Sequence, residues 1–131
     1  MYLLDTNIFL ELLLDQNEAG SVRTLLSTRD PSDLAISDLA FHSIGIILYQ
    51  KKSPHLFTDF ARDLFGDGGI RIIGLVPEDM NRIEELAKSS GLDFDDAYQY
   101  VVAEKFDLTF VSFDAHFDGL ERKRIVPTDM K

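Results

Sequence analysis

A chain of 131 residues that is 45% hydrophobic has the size and apolar content of one compact domain, not of a disordered segment. It contains no cysteine, which excludes a disulfide scaffold, a cysteine-ligated zinc site and a thiol nucleophile. Thirteen basic and 23 acidic residues leave a formal charge of −10, which argues against passive binding of nucleic acid by a broadly positive surface.

YLL at 2–4 reads as a short buried strand, and TNIFLELLLD at 6–15 turns helical through Ile8, Phe9, Leu12 and Leu13. AGSVRTLLSTR at 19–29 predicts a second, weaker helix on Val22, Leu25 and Leu26. DPSD at 30–33 is a turn, and LAI at 34–36 is strand-like. Ser37 suits the N-cap of the next helix, Asp38–Tyr49. Ile46 makes that helix apolar nearly all round, which predicts a central position. KKSP at 51–54 breaks it, HLFTDFARDLF at 55–65 forms another amphipathic helix, and GDGG at 66–69 ends that one. IRIIGL at 70–75 predicts a strand. PEDMNRIEELAKSS at 77–90 predicts a helix with proline in its first turn and Gly91 at its C-terminal cap. DFDDAYQYVVAEKF at 93–106 is a further helix, LTFVSF at 108–113 the clearest strand, and RIVP at 124–127 an edge strand.

Short buried strands alternating with helices imply an α/β three-layer sandwich, a short parallel sheet flanked by helices. No run of roughly 18 apolar residues exists, and MYLL is too short for a signal peptide, so a soluble, cytoplasmic protein without membrane contact is expected.

In such folds ligands bind beyond the carboxyl ends of the strands. YLLD puts Asp5 just past one strand and TFVSFD puts Asp114 just past another, so both should project from that edge. DFDDA sets Asp93, Asp95 and Asp96 at a helix start, Asp38 opens the helix after LAI, and Asp118 lies four residues beyond Asp114. Aspartate is favoured at helix starts as a cap, which suffices for Asp93 and covers much of the case for Asp38 and Asp96. Capping does not account for two strands that both end in a carboxylate. Clustered carboxylates repel one another, and a divalent cation removes the penalty. Such an ion activates water and stabilises charge on a phosphate oxygen, so the implied chemistry is phosphodiester hydrolysis. Asp5 and Asp114 are the foremost candidates to hold such an ion, with Asp96, Asp38 and Asp118 as further carboxylates within the same setting. Asn7 and Ser112 can orient a carboxylate, water or substrate, and Thr6 can cap the first helix. A phosphatase-like pocket is a weaker alternative, because DLTFVSF carries no lysine.

LLDTNIFL, LDFDDAYQYVVAEK and FVSFDAHF, in that order, resemble the PIN domain family. The resemblance implies one PIN-like domain over residues 1–131, with an acidic cluster at one end of a parallel sheet. It implies a metal-dependent ribonuclease using Mg2+ or Mn2+, with RNA as substrate, and often a homodimer. A toxin-type member would also have an antitoxin protein as partner. The family's acidic positions fall on Asp5, Asp96 and Asp114, with Asn7 and Ser112 as the usual polar neighbours and Asp118 as an acid that some members use. The family's glutamate in the helix after the second strand does not carry over. In ISDLAFHSIGIIL that place falls near His42 or Ser43, and Asp38 is the only acid of the helix. His42 can contact metal or phosphate, but neutral imidazole is a poorer magnesium ligand than a carboxylate. The missing glutamate keeps a second reading open, a non-catalytic PIN-like module binding RNA or protein. Arg122, Lys123 and Arg124 are the expected RNA contacts near the site, with Lys51 and Lys52 as a second basic group.

Overall fold

The computed structural model describes residues 1–67 and 69–130. Gly68 of the GDGG stop and Lys131, the last residue of the expected domain, lie outside the described residues.

Four strands form one parallel sheet in the order β3-β2-β1-β4, with β1 Tyr2–Leu4, β2 Leu34–Ser37, β3 Arg71–Ile73 and β4 Thr109–Val111. The register pairs Leu3 with Ala35 and with Phe110, and Ile36 with Ile72. Among the described residues, six α-helices cover the two faces: α1 Thr6–Leu13, α2 Ala19–Thr28, α3 Asp38–Gln50, α4 Pro54–Arg62, α5 Met80–Ser90 and α6 Phe94–Phe106.

Strand side chains alternate between faces, and the core divides accordingly. Leu4, Ile36 and Val111 pack on one side with Ile8 and Phe9 of α1, Val22 of α2, Ile44 and Leu48 of α3 and Phe60 of α4. Leu3, Ala35 and Phe110 pack on the other with Ile83 and Leu86 of α5 and Val101 and Val102 of α6. The central strands β1 and β2 are covered on both faces and read as apolar runs instead of alternating ones, whereas the edge strand β3 stays largely exposed.

Most expected elements form, with adjusted ends. The strands expected at 70–75 and 108–113 shrink to three residues each. RIVP reduces to one parallel bridge between Ile125 and Val111. Residues 63–67 continue from α4 as one wide helical turn. Gly91 ends α5 with φ 73°, the left-handed conformation in which glycine carries no Cβ penalty. Helix α3 departs from expectation. It buries Ala40, Ile44, Gly45 and Leu48, but Ile46 and Tyr49 stay 59% and 60% exposed. One side of α3 therefore meets solvent. Its buried side is held close by Gly45, where a Cβ would lie 2.9 Å from the Phe57 ring.

Among the described residues, no helix is long and apolar enough to cross a membrane.

Candidate active site

Parallel pairing brings the carboxyl ends of β1, β2 and β4 to one edge of the sheet. A cavity of about 260 Å³ opens there, lined by Asp5, Thr6 and Asn7 after β1, Leu39, Ala40 and Ser43 of α3, Asp95, Asp96 and Gln99 of α6, and Asp114 after β4. Three elements distant in sequence thus contribute carboxylates to one cavity.

Asp5 is the most constrained of them. It occupies the N-cap of α1, where its Oδ1 accepts from the Thr6 backbone N–H at 2.8 Å. The same oxygen accepts from Gln99 Nε2 at 3.0 Å, and Oδ2 accepts from the Ser112 hydroxyl at 2.7 Å. Burial pushes the Asp5 carboxyl above the ordinary carboxylate range. The donors from Ser112, Gln99 and Thr6 oppose that shift, and the nearby Asp96 charge adds to it.

Ser112 is fully buried and anchors a small network. Its oxygen accepts from Asn7 Nδ2 at 3.1 Å and from the Asp114 backbone N–H at 2.9 Å. Asn7 Oδ1 accepts from the Phe113 N–H at 3.2 Å, so Asn7 ties α1 to the end of β4 through both halves of its amide. The position of Asp114 is thereby coupled to that of Asp5.

Asp96 and Asp114 also meet His116, which lines a neighbouring cavity with Asp93 and Asp96. The His116 Nδ1 lies 3.3 Å from Asp96 Oδ2 and 3.2 Å from Asp114 Oδ1. Donor atoms of these three residues all lie within 4.8 Å of one another. Burial raises the Asp96 carboxyl above its usual value; the His116 bond opposes this and the Asp114 charge reinforces it. The His116 imidazole is held above its usual value by its bond to Asp96 and by the Asp114 charge.

Sequence reasoning missed Gln99 and His116. Gln99 is only 3% exposed, and its Oε1 is the single buried side-chain polar atom without a partner among the described residues. A buried acceptor left unpaired costs about 1–3 kcal/mol, so its place in the cavity wall points to a missing partner. Gln99 stands three residues after Asp96, a spacing that shares a helix face and was the available signal. His116 had no such signal, because it reaches the acids through a tight turn, Ala115–Phe117.

The remaining candidates lie elsewhere. Asp38 is turned toward β3 and α6. It caps the Leu39 N–H at 2.8 Å and accepts from the Tyr98 hydroxyl at 2.8 Å, and that hydroxyl accepts from the Leu75 N–H at 3.0 Å. His42 is exposed, with its ring against Phe41, and Ser43 is the α3 side chain in the cavity at this level. Asp118 pairs with Arg124 through two bonds of 2.8 and 3.1 Å, which hold its carboxyl below the usual range. Arg124 also donates to the Ser112 carbonyl at 3.1 Å. Arg122 bonds Asp107 at 2.6 Å and the Leu108 carbonyl at 3.2 Å. Lys123 is exposed.

The capping expectations also need correction. Thr6 is the first residue of α1, and the cap is Asp5 itself. Asp114 likewise caps its turn, accepting from the His116 N–H at 2.9 Å, whereas Asp93 holds the expected N-cap position of α6 without a side-chain cap bond. Capping and membership of the acidic cavity coincide in the same two residues.

The donors suit a small divalent cation. Carboxylate oxygens and one imidazole come within coordinating range of each other, and Gln99, whose amide oxygen is unpaired, lines the cavity with two of those carboxylates.

The sequence matches the PIN domain family over residues 2–123. No curated protein matches the chain by sequence. Solved structures match it in fold. One is VapC20 from Mycobacterium tuberculosis, described as a Sarcin-Ricin loop cleaving toxin, at 16% identity and TM-score 0.80 over 97% of this chain and 100% of that one. Another is a toxin–antitoxin complex from Klebsiella pneumoniae, at 17% identity and TM-score 0.77 over 97% and 98%. A third is FitAcB from Neisseria gonorrhoeae, at 21% identity and TM-score 0.71 over 99% and 100%.

Proposed function

The chain belongs to the PIN domain family, and on that premise we propose that it is a metal-dependent endoribonuclease of the toxin type, using Mg2+ or Mn2+. The observation that carries this reading is the convergence of Asp5, Asp96 and Asp114, from three separate elements, on one cavity at the carboxyl edge of the sheet.

Asp5, Asp96 and Asp114 would hold the ion. A bound divalent cation supplies Lewis-acid stabilisation of a phosphate oxygen and makes water a competent nucleophile near neutral pH. Gln99 and Ser112 fix the Asp5 carboxylate from two sides, and Asn7 fixes Ser112, so the ligand oxygens are positioned before any ion arrives. Without a cation, Asp5, Asp95, Asp96 and Asp114 repel a phosphodiester. RNA binding at the cavity therefore depends on the ion.

An antitoxin protein and a homodimer belong to the same reading. The exposed Ile46 and Tyr49 on α3 give apolar surface for such contacts.

A second reading has its own observation: α3 contributes Ser43 and no carboxylate to the cavity. That reading is a non-catalytic module binding RNA or protein. The two separate in one assay. Purified protein is incubated with several RNA pools and Mg2+ or Mn2+, beside Asp5→Asn. Metal-dependent cleavage lost in the variant supports the nuclease. Equal, negligible cleavage by both proteins supports the binding module.

A further inference from the structure

The cavity lacks a carboxylate from α3, and a different donor stands beside two of the carboxylates it does have. His116 stands against Asp96 and Asp114, two carboxylates of the cavity lining, with its Nδ1 at 3.3 and 3.2 Å from their oxygens. Neighbouring ligands on an octahedral ion with bonds of about 2.1 Å stand about 3.0 Å apart. The two spacings are close to that edge length.

The approach is fixed by the fold and not by chance rotation of a surface side chain. Asp114 Oδ1 accepts the backbone N–H of His116, so carboxylate and imidazole come from a single turn. The next residue, Phe117, is fully buried and packs edge-on against Phe110 at 4.7 Å, which pins the turn to β4. As an ion pair alone the arrangement would contribute little, because the His116 side chain is 70% exposed and solvent screens the contact. The second, independent sign of a ligand is the unpaired, buried Oε1 of Gln99, a residue that lines the cavity with Asp96 and Asp114.

We propose that His116 is a nitrogen ligand of the metal held by Asp96 and Asp114, and that it makes the site select Mn2+ and similar borderline ions over Mg2+. Imidazole suits transition ions, whereas Mg2+ prefers an all-oxygen shell. Replacing an absent α3 carboxylate by a nitrogen therefore shifts the preference and does not abolish binding. The inference rests on the reading that the cavity holds a divalent ion.

The test measures binding directly. Mn2+ and Mg2+ are titrated by calorimetry into wild type, His116→Ala and Asp114→Asn, and the Mn2+ complexes are examined by pulsed electron paramagnetic resonance for nitrogen coupling. The chain has three histidines, and of these His116 alone stands with Asp96 and Asp114 in a group of convergent donor atoms among the described residues, so nitrogen coupling reports on His116. The expected result is Mn2+ bound more tightly than Mg2+, with nitrogen coupling present. His116→Ala should lose that coupling and about tenfold or more in Mn2+ affinity, with Mg2+ affinity little changed and the melting temperature preserved. Equal binding of both ions, unaltered in His116→Ala and sensitive to Asp114→Asn, would overturn the histidine proposal and leave the metal site standing. Binding of neither ion would overturn both.

Discussion

Asp5 follows β1 and Asp38 follows β2, side by side at the same edge of the sheet, yet only Asp5 lines the acidic cavity. The difference is one position in the helix that follows. After β1 the aspartate is itself the N-cap; after β2 the cap is Ser37, which accepts the Ala40 N–H at 2.9 Å, and Asp38 is the first helical residue. One residue is about 100° around a helix axis. That rotation carries the Asp38 carboxylate away from the cavity and into the bond with Tyr98. A strand-end carboxylate is thus directed by its place in the cap and not by the strand alone.

Substitutions can break this comparison at either aspartate. The largest effect is expected for Asp5→Asn and Asp114→Asn, each lowering metal-dependent RNA cleavage by about 10²-fold or more. Asp38→Ala should leave cleavage per folded molecule near the wild-type rate while lowering stability by about 1–2 kcal/mol, since the Tyr98 hydroxyl loses its acceptor. Chemical denaturation and initial-rate assays check both. A loss of cleavage in Asp38→Ala as deep as in Asp5→Asn would refute the contrast.

Gly74 tests the Asp38 side from its partner. A Cβ there would collide with the Asp38 carboxylate, so Gly74→Ala should destabilise by about 1–3 kcal/mol, read as a fall in melting temperature.

The Asp5 side has an opposite signature. Its carboxyl is raised in the fold, so the folded state holds a proton more readily than the unfolded chain. Stability is then lost as pH rises from the ordinary carboxylate value through the raised one. With metal chelated, Asp5→Asn should melt above wild type at neutral pH, and the gap should close as acid neutralises Asp5. Adding Mn2+ should reverse the order, because only the wild type keeps the full ligand set.

The smallest effect belongs to Asp118→Asn. Its carboxyl is lowered by Arg124, so its contribution is present above the usual carboxylate range and fades as pH falls through the depressed value. A slight loss of melting temperature at neutral pH, absent in strong acid, with cleavage unchanged, is the expected pattern.

The parallel sheet and its flanking helices were legible because buried strands and amphipathic helices leave different apolar periods. Asp5, Asp96 and Asp114 were legible as a group because strand ends and helix starts are named by local pattern, and topology brings them together. What escaped depended on rotation and on distant partners. Asp38 shares Asp5's local pattern, and only the cap offset separates them. Gln99 sits inside YQYVV, where bulky neighbours disguise a buried amide. Arg122 and Arg124 read as free positive charge because nothing local reveals their partners Asp107 and Asp118. Ile46 looked central because composition does not say which side of a helix lacks a neighbour.

The bridge at Ile125 bears on how the molecule behaves at high concentration. Ile125 donates its N–H to the Phe110 carbonyl at 2.9 Å and accepts from the Ser112 N–H at 3.0 Å, taking up outward hydrogen-bonding groups at the carboxyl end of β4. That flank cannot template another strand until residues near 125 peel off. Fibre-like growth would have to begin at β3, whose three residues give it a short foothold. Removing residues 124–130 should therefore promote self-association before it disturbs the acidic cavity.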